Sequence, residues 1–278
     1  MRSKMPERRG RAELKDLRAM ASQMRRWIVE RAFSARIGHI GSALCIADIV
    51  AVLWGAVMRR PGTSDHDRDR FILGKGHAVL AQYAAMRWLG LMEDDYFRTY
   101  CHDGSLLGVH PEHLVPGVEV STGSLGQGLS VGCGIALAQR MKKSPGRVFV
   151  LISDAECNEG QVWEAAQFAA HHRLSSLVVV VDENGLQAMG DTKGILDLSP
   201  LVARWRAFGW QALETDGHDP AALLRALRTR PGSKPRIVVA RTVMGKGVSF
   251  MEGKVEWHYR TLSPELAAKA LKELSPQP

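Results

Sequence analysis

The sequence predicts an α/β fold: a doubly wound, mostly parallel sheet with helices on both faces. Three observations lead there. Short β-branched runs alternate with helix-like segments along most of the chain. One of those runs, Leu177–Val181 (LVVVV), is continuously apolar, as in a strand covered on both faces. The turns between successive runs are short, as repeated strand–helix units require. The 278 residues, 45% hydrophobic and 24% charged, suffice for a substantial core and argue against wholesale disorder.

In chain order, Phe71–Lys75 (FILGK) reads as a strand leading into HAVLAQYAAMRWLG, whose apolar residues recur at helical spacing. Arg147–Ser153 (RVFVLIS) is the next strand, followed by a helix that begins near Glu159 and runs through WEAAQFAAHHRL. After Leu177–Val181, the segment SPLVARWRAFG reads as a helix with Ser199 as its cap, Pro200 at its first position and Gly209 as its stop. WQALETDG, DPAALLRALRTR and RIVVART then add a strand, a helix and a strand. There is no repeat and no long linker, so a single domain over residues 1–278 is expected, with 1–13 as a basic N-terminal arm.

The net charge of +8 is localised. Residues 1–31 hold ten lysines and arginines against four acids, so six of the eight positive charges belong to the arm and the helix after it. The body is nearly neutral, which favours a solvated arm over a nucleic-acid or membrane-surface role. The positive start has no apolar stretch behind it, unlike a signal peptide. The most apolar window, Ile37 to Met58, contains His39 and Asp48 and is broken by glycines, so it makes a poor membrane span. Cys45, Cys101, Cys133 and Cys157 show no C-x-x-C spacing, hence neither a disulfide framework nor a zinc site is indicated. A soluble cytoplasmic protein is expected, with neither nucleic acid nor membrane as a partner.

Ligands of open parallel sheets bind outside the carboxyl ends of the strands. The segment SDAECNEG…VVVVDENG places Asp154 and Asn184, thirty residues apart, at two such ends. One carboxylate and one amide oxygen suit a hard cation such as Mg²⁺. The N-terminal amides of the helix near Glu159 would favour an anion such as a diphosphate at the same spot. On these residues alone, a capping Asp and a turn Asn account for the pattern equally well.

The same segment resembles the thiamine-diphosphate signature of the transketolase family, GDG followed about 25–30 residues later by Asn. Here Ser153-Asp154-Ala155 stands in place of Gly-Asp-Gly, keeping the acid and losing both glycines. Alanine accommodates the backbone approach to a diphosphate where φ is negative. The resemblance extends, in family order, through GHIGSALCIADI (Gly38–Ile49), DRDRFILGKGHA (Asp67–Ala78), VHPE (Val109–Glu112), STGSLGQGLSVGCGIALA (Ser121–Ala138) and TVMGKGVSFMEGKVEWH (Thr242–His258). It covers residues 14 to 265.

The resemblance implies roles for particular positions. Asp154 and Asn184 would hold the metal (Mg²⁺, or Ca²⁺ or Mn²⁺) by their side chains and Leu186 by its carbonyl. His39, His77, His110 and His258 match the histidines of the catalytic channel, where a side chain that titrates near working pH can move protons. His77 and His258 would also contact the cofactor, as would Gly123, Ser124, Leu125, Ala155 and Glu156. Gly126 and Gly128 would permit close backbone approach. Glu159 and Glu164 match acids that relay protons between subunits, or are first-turn helix acids. Lys246 would meet a phosphate or be solvated. His66, His102, His113, His171, His172 and His218 match no catalytic position.

The family's pyrimidine-binding domain supplies a glutamate essential to the cofactor's chemistry, and the chain stops at Pro278 without space for such a domain. The expected protein is therefore the N-terminal subunit of a split transketolase. It would transfer a two-carbon ketol unit between sugars, phosphosugars foremost, and be inactive without a C-terminal partner carrying the pyrimidine-binding domain, in an α2β2 heterotetramer. Three rival enzymatic and non-enzymatic readings are the α subunit of a 2-oxoacid dehydrogenase, a deoxyxylulose-phosphate synthase and a non-catalytic relative with impaired cofactor binding. The four channel histidines and TGSLGQG oppose the first, chain length the second, and retention of Asp154 and Asn184 the third.

Overall fold

The computed structural model describes residues 13–229 and 232–275. Most of the basic arm lies outside these residues. The chain opens with α1 (Leu14–Ala35), whose capping box joins Glu13 and Asp16 and whose inner face buries Leu17, Met20, Met24 and Ile28 at helical spacing. Two short helices follow, α2 (Ile40–Cys45) and α3 (Ala47–Val52), the latter continuing into one wide turn at Leu53–Val57. Then come β1 (Arg70–Leu73), α4 (Val79–Trp88), α5 (Asp94–Arg98), α6 (Gln127–Met141), β2 (Val148–Ser153), α7 (Gly160–His171) and β3 (Leu177–Glu183). A small hairpin, β4 (Leu186–Gln187) and β5 (Gly190–Asp191), precedes α8 (Thr192–Leu196) and α9 (Leu201–Ala207). The chain closes with β6 (Gln211–Asp216), α10 (Pro220–Arg228), β7 (Arg236–Arg241) and α11 (Pro264–Glu273).

Five strands form one parallel sheet in the order β1-β2-β3-β7-β6, as the alternating pattern predicts. Successive residues of its central strands enter two different cores. Phe149, Leu151, Val178, Val180 and Val238 pack with α1, α3, α4 and α10 on one face. Val148, Val150, Val179, Val181 and Val239 pack with α6, α7 and α9 on the other. Burial on both faces is why LVVVV carries no polar alternation. α6 lies so close to β2 that a Cβ on Gly132 would come within 2.5 Å of the Val150 side chain. Among the described residues no helix is long and apolar enough to cross a membrane.

Two local expectations are corrected. Ser199 is not the cap of α9: Pro200 occupies the capping position after a cis peptide bond, and the Ser199 N–H instead donates to Asp197 Oδ1 (2.8 Å). Arg25, counted with the solvated basic charges, is buried. Its guanidinium forks onto Asp48, and its Nε–H donates to the Lys246 carbonyl at 3.0 Å. Asp48 in turn accepts from His218 Nδ1 (2.8 Å), and His218 Nε2 accepts from the Val243 N–H (2.9 Å). This chain of polar contacts ties the segment after β7 to α1 and α3.

The second acid of DRDR is likewise structural. Asp69 is fully buried and accepts from the Arg59 and Arg147 backbone N–H groups and from both guanidiniums, joining the entrances of β1 and β2. Removing the carboxylate leaves those donors unsatisfied, so Asp69→Ala should lower stability by about 3 kcal/mol. Urea unfolding checks it: the midpoint should fall with the slope unchanged.

Candidate active site

The parallel register sets the site. Ser153 lies opposite Asp182, and Asp182 opposite Ala240. The segments leaving β1, β2, β3 and β7 therefore emerge side by side at one edge of the sheet. They enclose a cavity of about 320 Å³, to which His39, Lys75, His77, His110, Gly123, Ala155, Asn184, Leu186, Met244 and His258 contribute.

The four predicted channel histidines come from four separate segments and meet here. His39, His77 and His258 are mutual neighbours, with ring centroids 5.1–5.2 Å apart. His110 closes the side beside Gly123, where a Cβ would lie 3.0 Å from its ring. His39 adopts a left-handed backbone (φ 60°) and donates its N–H to the His258 carbonyl at 2.9 Å. Such conformations are held by their surroundings and concentrate at working sites. Burial lowers the pKa of all four, most for His77, where Lys75 and the other histidines add to it. His258 is brought down to about 4 by burial, His39 and Lys75. At neutral pH these rings are uncharged and able to accept a proton or a hydrogen bond.

Beneath the histidines sits a buried ion pair that the motifs do not single out. Asp182 is 0% exposed and Lys75 1%. The Asp182 carboxylate accepts from Lys75 Nζ, Thr242 Oγ1, Cys45 Sγ (3.0 Å) and Asn184 Nδ2 (2.9 Å). Burial alone would raise the Asp182 carboxyl; the Lys75 ammonium and the Cys45 and Thr242 donors hold it below the ordinary range. Because the Asn184 amide nitrogen faces Asp182, its Oδ1 is turned away and accepts from the Leu186 N–H at 2.9 Å. Lys75 and Asp182 fall inside GKGHA and DENG, but spacing does not say which acid of Asp182-Glu183 points inward.

Asp154 lies at the end of β2, 3% exposed. One oxygen accepts from the Ala155 N–H (2.9 Å), the other from Gly185 N–H (2.9 Å) and Thr192 Oγ1 (3.2 Å). The two expected jaws are thus joined directly: Asp154 grips the turn that carries Asn184 and Leu186. In this arrangement the Asp154 side chain lines a neighbouring cavity behind that turn, while Asn184 borders both. Burial, and then the charge of Asp182, push its carboxyl up to about 7. Carboxylate, amide and carbonyl oxygens are donor types that suit a hard divalent cation, but here Asp154 and Leu186 border different cavities. Among the described residues no cluster of three or more His, Cys, Asp or Glu is arranged as a metal site of another kind.

The fit to a polar organic ligand is visible in unpaired atoms. His39 Nδ1, Ser42 Oγ, Asn158 Oδ1, Gln187 Nε2 and His258 Nδ1 are buried without hydrogen-bond partners, and all five residues border this one cavity. Buried polar groups are normally satisfied, so this concentration points to a ligand that supplies partners. Ala155 begins a tight 3-10 turn (Ala155–Asn158) and is not among the residues with positive φ, so the loss of glycine there strains nothing. Ser153 uses its hydroxyl to accept from the Glu156 N–H at 3.1 Å.

Other expectations divide. Gly123, Leu125, Ala155 and Leu186 border the cavity, whereas Ser124 lies in the open groove beyond His110. The fully buried carboxylate of Glu156 turns inward, accepting from the Gly126 and Ser153 N–H groups (3.0 Å each), and does not border the cavity. It builds the floor instead, under Gly74, where a Cβ would touch it at 2.8 Å. Glu159 borders the cavity and Glu164 is exposed on α7. Lys246 pairs with Glu252 (3.4 Å) outside it. His218, unassigned by motif, has the structural role described above.

A parallel sheet with a polar, histidine-walled cavity at its carboxyl edge is the architecture of an α/β domain that binds a polar ligand there. Residues 17–277 match the family described as transketolase, thiamine diphosphate binding domain, and the chain belongs to that family. It is 36% identical to an apulose-4-phosphate transketolase subunit from Phocaeicola vulgatus, covering 95% of both chains. It is 37% identical to the 6-deoxy-6-sulfo-D-fructose transketolase subunit SqwG of Clostridium sp. (strain MSTE9), over 93% of this chain and 96% of that one. Among solved structures it superposes on the transketolase from Leishmania mexicana with a TM-score of 0.83 at 28% identity, matching 94% of this chain but only 41% of that one.

The depressed histidine pKa values predict a pH effect. A histidine held neutral stabilises the fold fully above about 6.5, its ordinary pKa, and that contribution is lost as pH falls toward the folded value. For His258 the window runs from about 6.5 down to about 4. His258→Gln should therefore lose less stability than the parent between pH 7 and pH 5, measured by urea midpoints at both.

Proposed function

We propose that this chain is the cofactor-binding subunit of a split transketolase, forming one domain over residues 1–278 and transferring a two-carbon ketol unit from a ketose to an aldose acceptor. The observation that carries the reading is the meeting of four neutral histidines, from four segments, over one cavity full of unpaired buried polar atoms. The similarity to transketolase subunits over nearly the whole of both chains supports the split arrangement. Its partner is a C-terminal subunit carrying the pyrimidine-binding domain, in an α2β2 heterotetramer acting in the cytoplasm on sugar substrates, phosphosugars included.

Thiamine diphosphate, when bound, supplies the electron sink that lets a carbon–carbon bond beside a carbonyl break. This chain's residues do the rest. Asp154, Asn184 and the Leu186 carbonyl would hold Mg²⁺ (or Ca²⁺ or Mn²⁺), with Asp182 fixing the orientation of the Asn184 amide by accepting from its nitrogen. Gly123, Leu125 and Ala155, which border the cavity, would contact the cofactor. Ser124 stands at the rim. His77 and His258 present uncharged rings to the cavity, where they would contact the cofactor. His39 and His110 would hold sugar hydroxyls, one accepting the proton when the donor is cleaved and returning it to the acceptor. The buried Lys75 charge disfavours a positive charge on His77 and His258, which keeps those two rings neutral.

Mixing this chain with its partner subunit, Mg²⁺ and thiamine diphosphate should yield ketol transfer that neither chain gives alone. Asp154→Ala should weaken metal-dependent cofactor binding about 100-fold or more, read by calorimetric titration of the mixed chains. Binding that ignores this substitution would overturn the metal assignment. Decarboxylation of a 2-oxoacid in place of ketol transfer would overturn the transketolase reading.

A further inference from the structure

The rim of the catalytic cavity carries two apolar side chains that ketol transfer itself does not call on, Tyr259 (61% exposed) and Met189 (89% exposed). Tyr259 is held in place. Its ring stands edge-on to His39 (centroids 5.1 Å, planes at 63°) and to His258 (4.9 Å, 68°). Its N–H donates to the Glu256 carbonyl at 3.3 Å. Gly38 packs so tightly beneath it that a Cβ there would lie 2.4 Å from the Tyr259 carbonyl oxygen. The neighbouring His39–His258 backbone bond (2.9 Å) locks the same two segments together.

We propose that Tyr259 is a specificity-determining residue, which contacts the part of the ketose beyond the bond that is broken. The inference rests on the ketol-transfer reading above. An open-chain sugar alternates C–H and O–H along its length, and a tyrosine matches both, with an apolar ring edge and a polar tip. The reacting carbonyl must lie among the histidines, so the rest of the sugar has to leave past the rim. Tyr259 flanks that exit from the His39–His258 side, and its ring leaves less room for a substituent branching from the sugar backbone. A ring already fixed by packing presents this wall without the cost of ordering it on binding.

The test uses the assembled heteromer with Tyr259→Phe and Tyr259→Ala, assayed against a linear ketose phosphate and a branched ketose phosphate of equal carbon number. Tyr259→Phe keeps the wall and loses the hydroxyl, so KM for the linear donor should rise about fivefold with kcat within about twofold. Tyr259→Ala removes the wall, and kcat/KM for the branched donor relative to the linear one should rise about tenfold. Assembly of the heteromer, measured by titrating one chain into the other, should be unchanged by either substitution. A donor ratio unmoved in both variants overturns the proposal. So does weakened assembly with an unmoved ratio, which would place Tyr259 in the interface between the two chains instead. Absence of ketol transfer by the parent heteromer takes down the functional reading and this inference with it, whereas transfer with an unmoved ratio removes the inference alone.

Discussion

The Lys75–Asp182 ion pair is the interaction on which the site depends. Taking two charges out of water costs several kcal/mol per ion, an effective penalty that only close pairing and further hydrogen bonds offset. Here Asp182 collects Lys75, Thr242, Cys45 and Asn184, which arrive from the ends of β1 and β7, from α2 and from the turn after β3. Each of these segments delivers a cavity residue: His77 follows Lys75, Met244 follows Thr242, Ser42 precedes Cys45 on α2, and Leu186 follows Asn184. A single carboxylate therefore fixes the relative positions of four walls, and does so without occupying the cavity itself.

Charge placement then sets the chemistry. Lys75 carries its positive charge beneath His77 and His258 and, with burial, keeps both neutral. Asp154, behind the Asn184 turn, is held by backbone donors and the Thr192 hydroxyl, with no lysine or arginine bonded to it. Two buried acids separated by one strand spacing thus have different fates. Asp182 is satisfied by a lysine, whereas Asp154 is satisfied by neutral donors alone.

Much of this is legible in the chain itself. The strands of the sheet are marked by β-branched runs, and the four histidines and Asp154–Asn184 by motifs with distinct spacing. What escapes is orientation. Glu156 stands in the same acidic cluster as Asp154, yet the 3-10 turn between Asp154 and α7 rotates its carboxylate into the fold. Arg25 sits in a basic helix and looks solvated, but the side of α1 that faces Asp48 is decided by packing. Lys75 and Asp182 are visible as letters within motifs, and their pairing spans 107 residues. Tyr259 matches no motif because its significance comes from which rings it stands against.

By itself the sequence determined the alternation of strand and helix, the family, and the residue types available for chemistry, because these follow from local periodicity and from ordered motifs. The tertiary structure alone decided which side chains share a cavity, which acid is neutralised by a lysine and which histidines lose their charge. Those outcomes depend on strand register and on burial in a low-dielectric interior, where a group's partners come from segments far away in the chain.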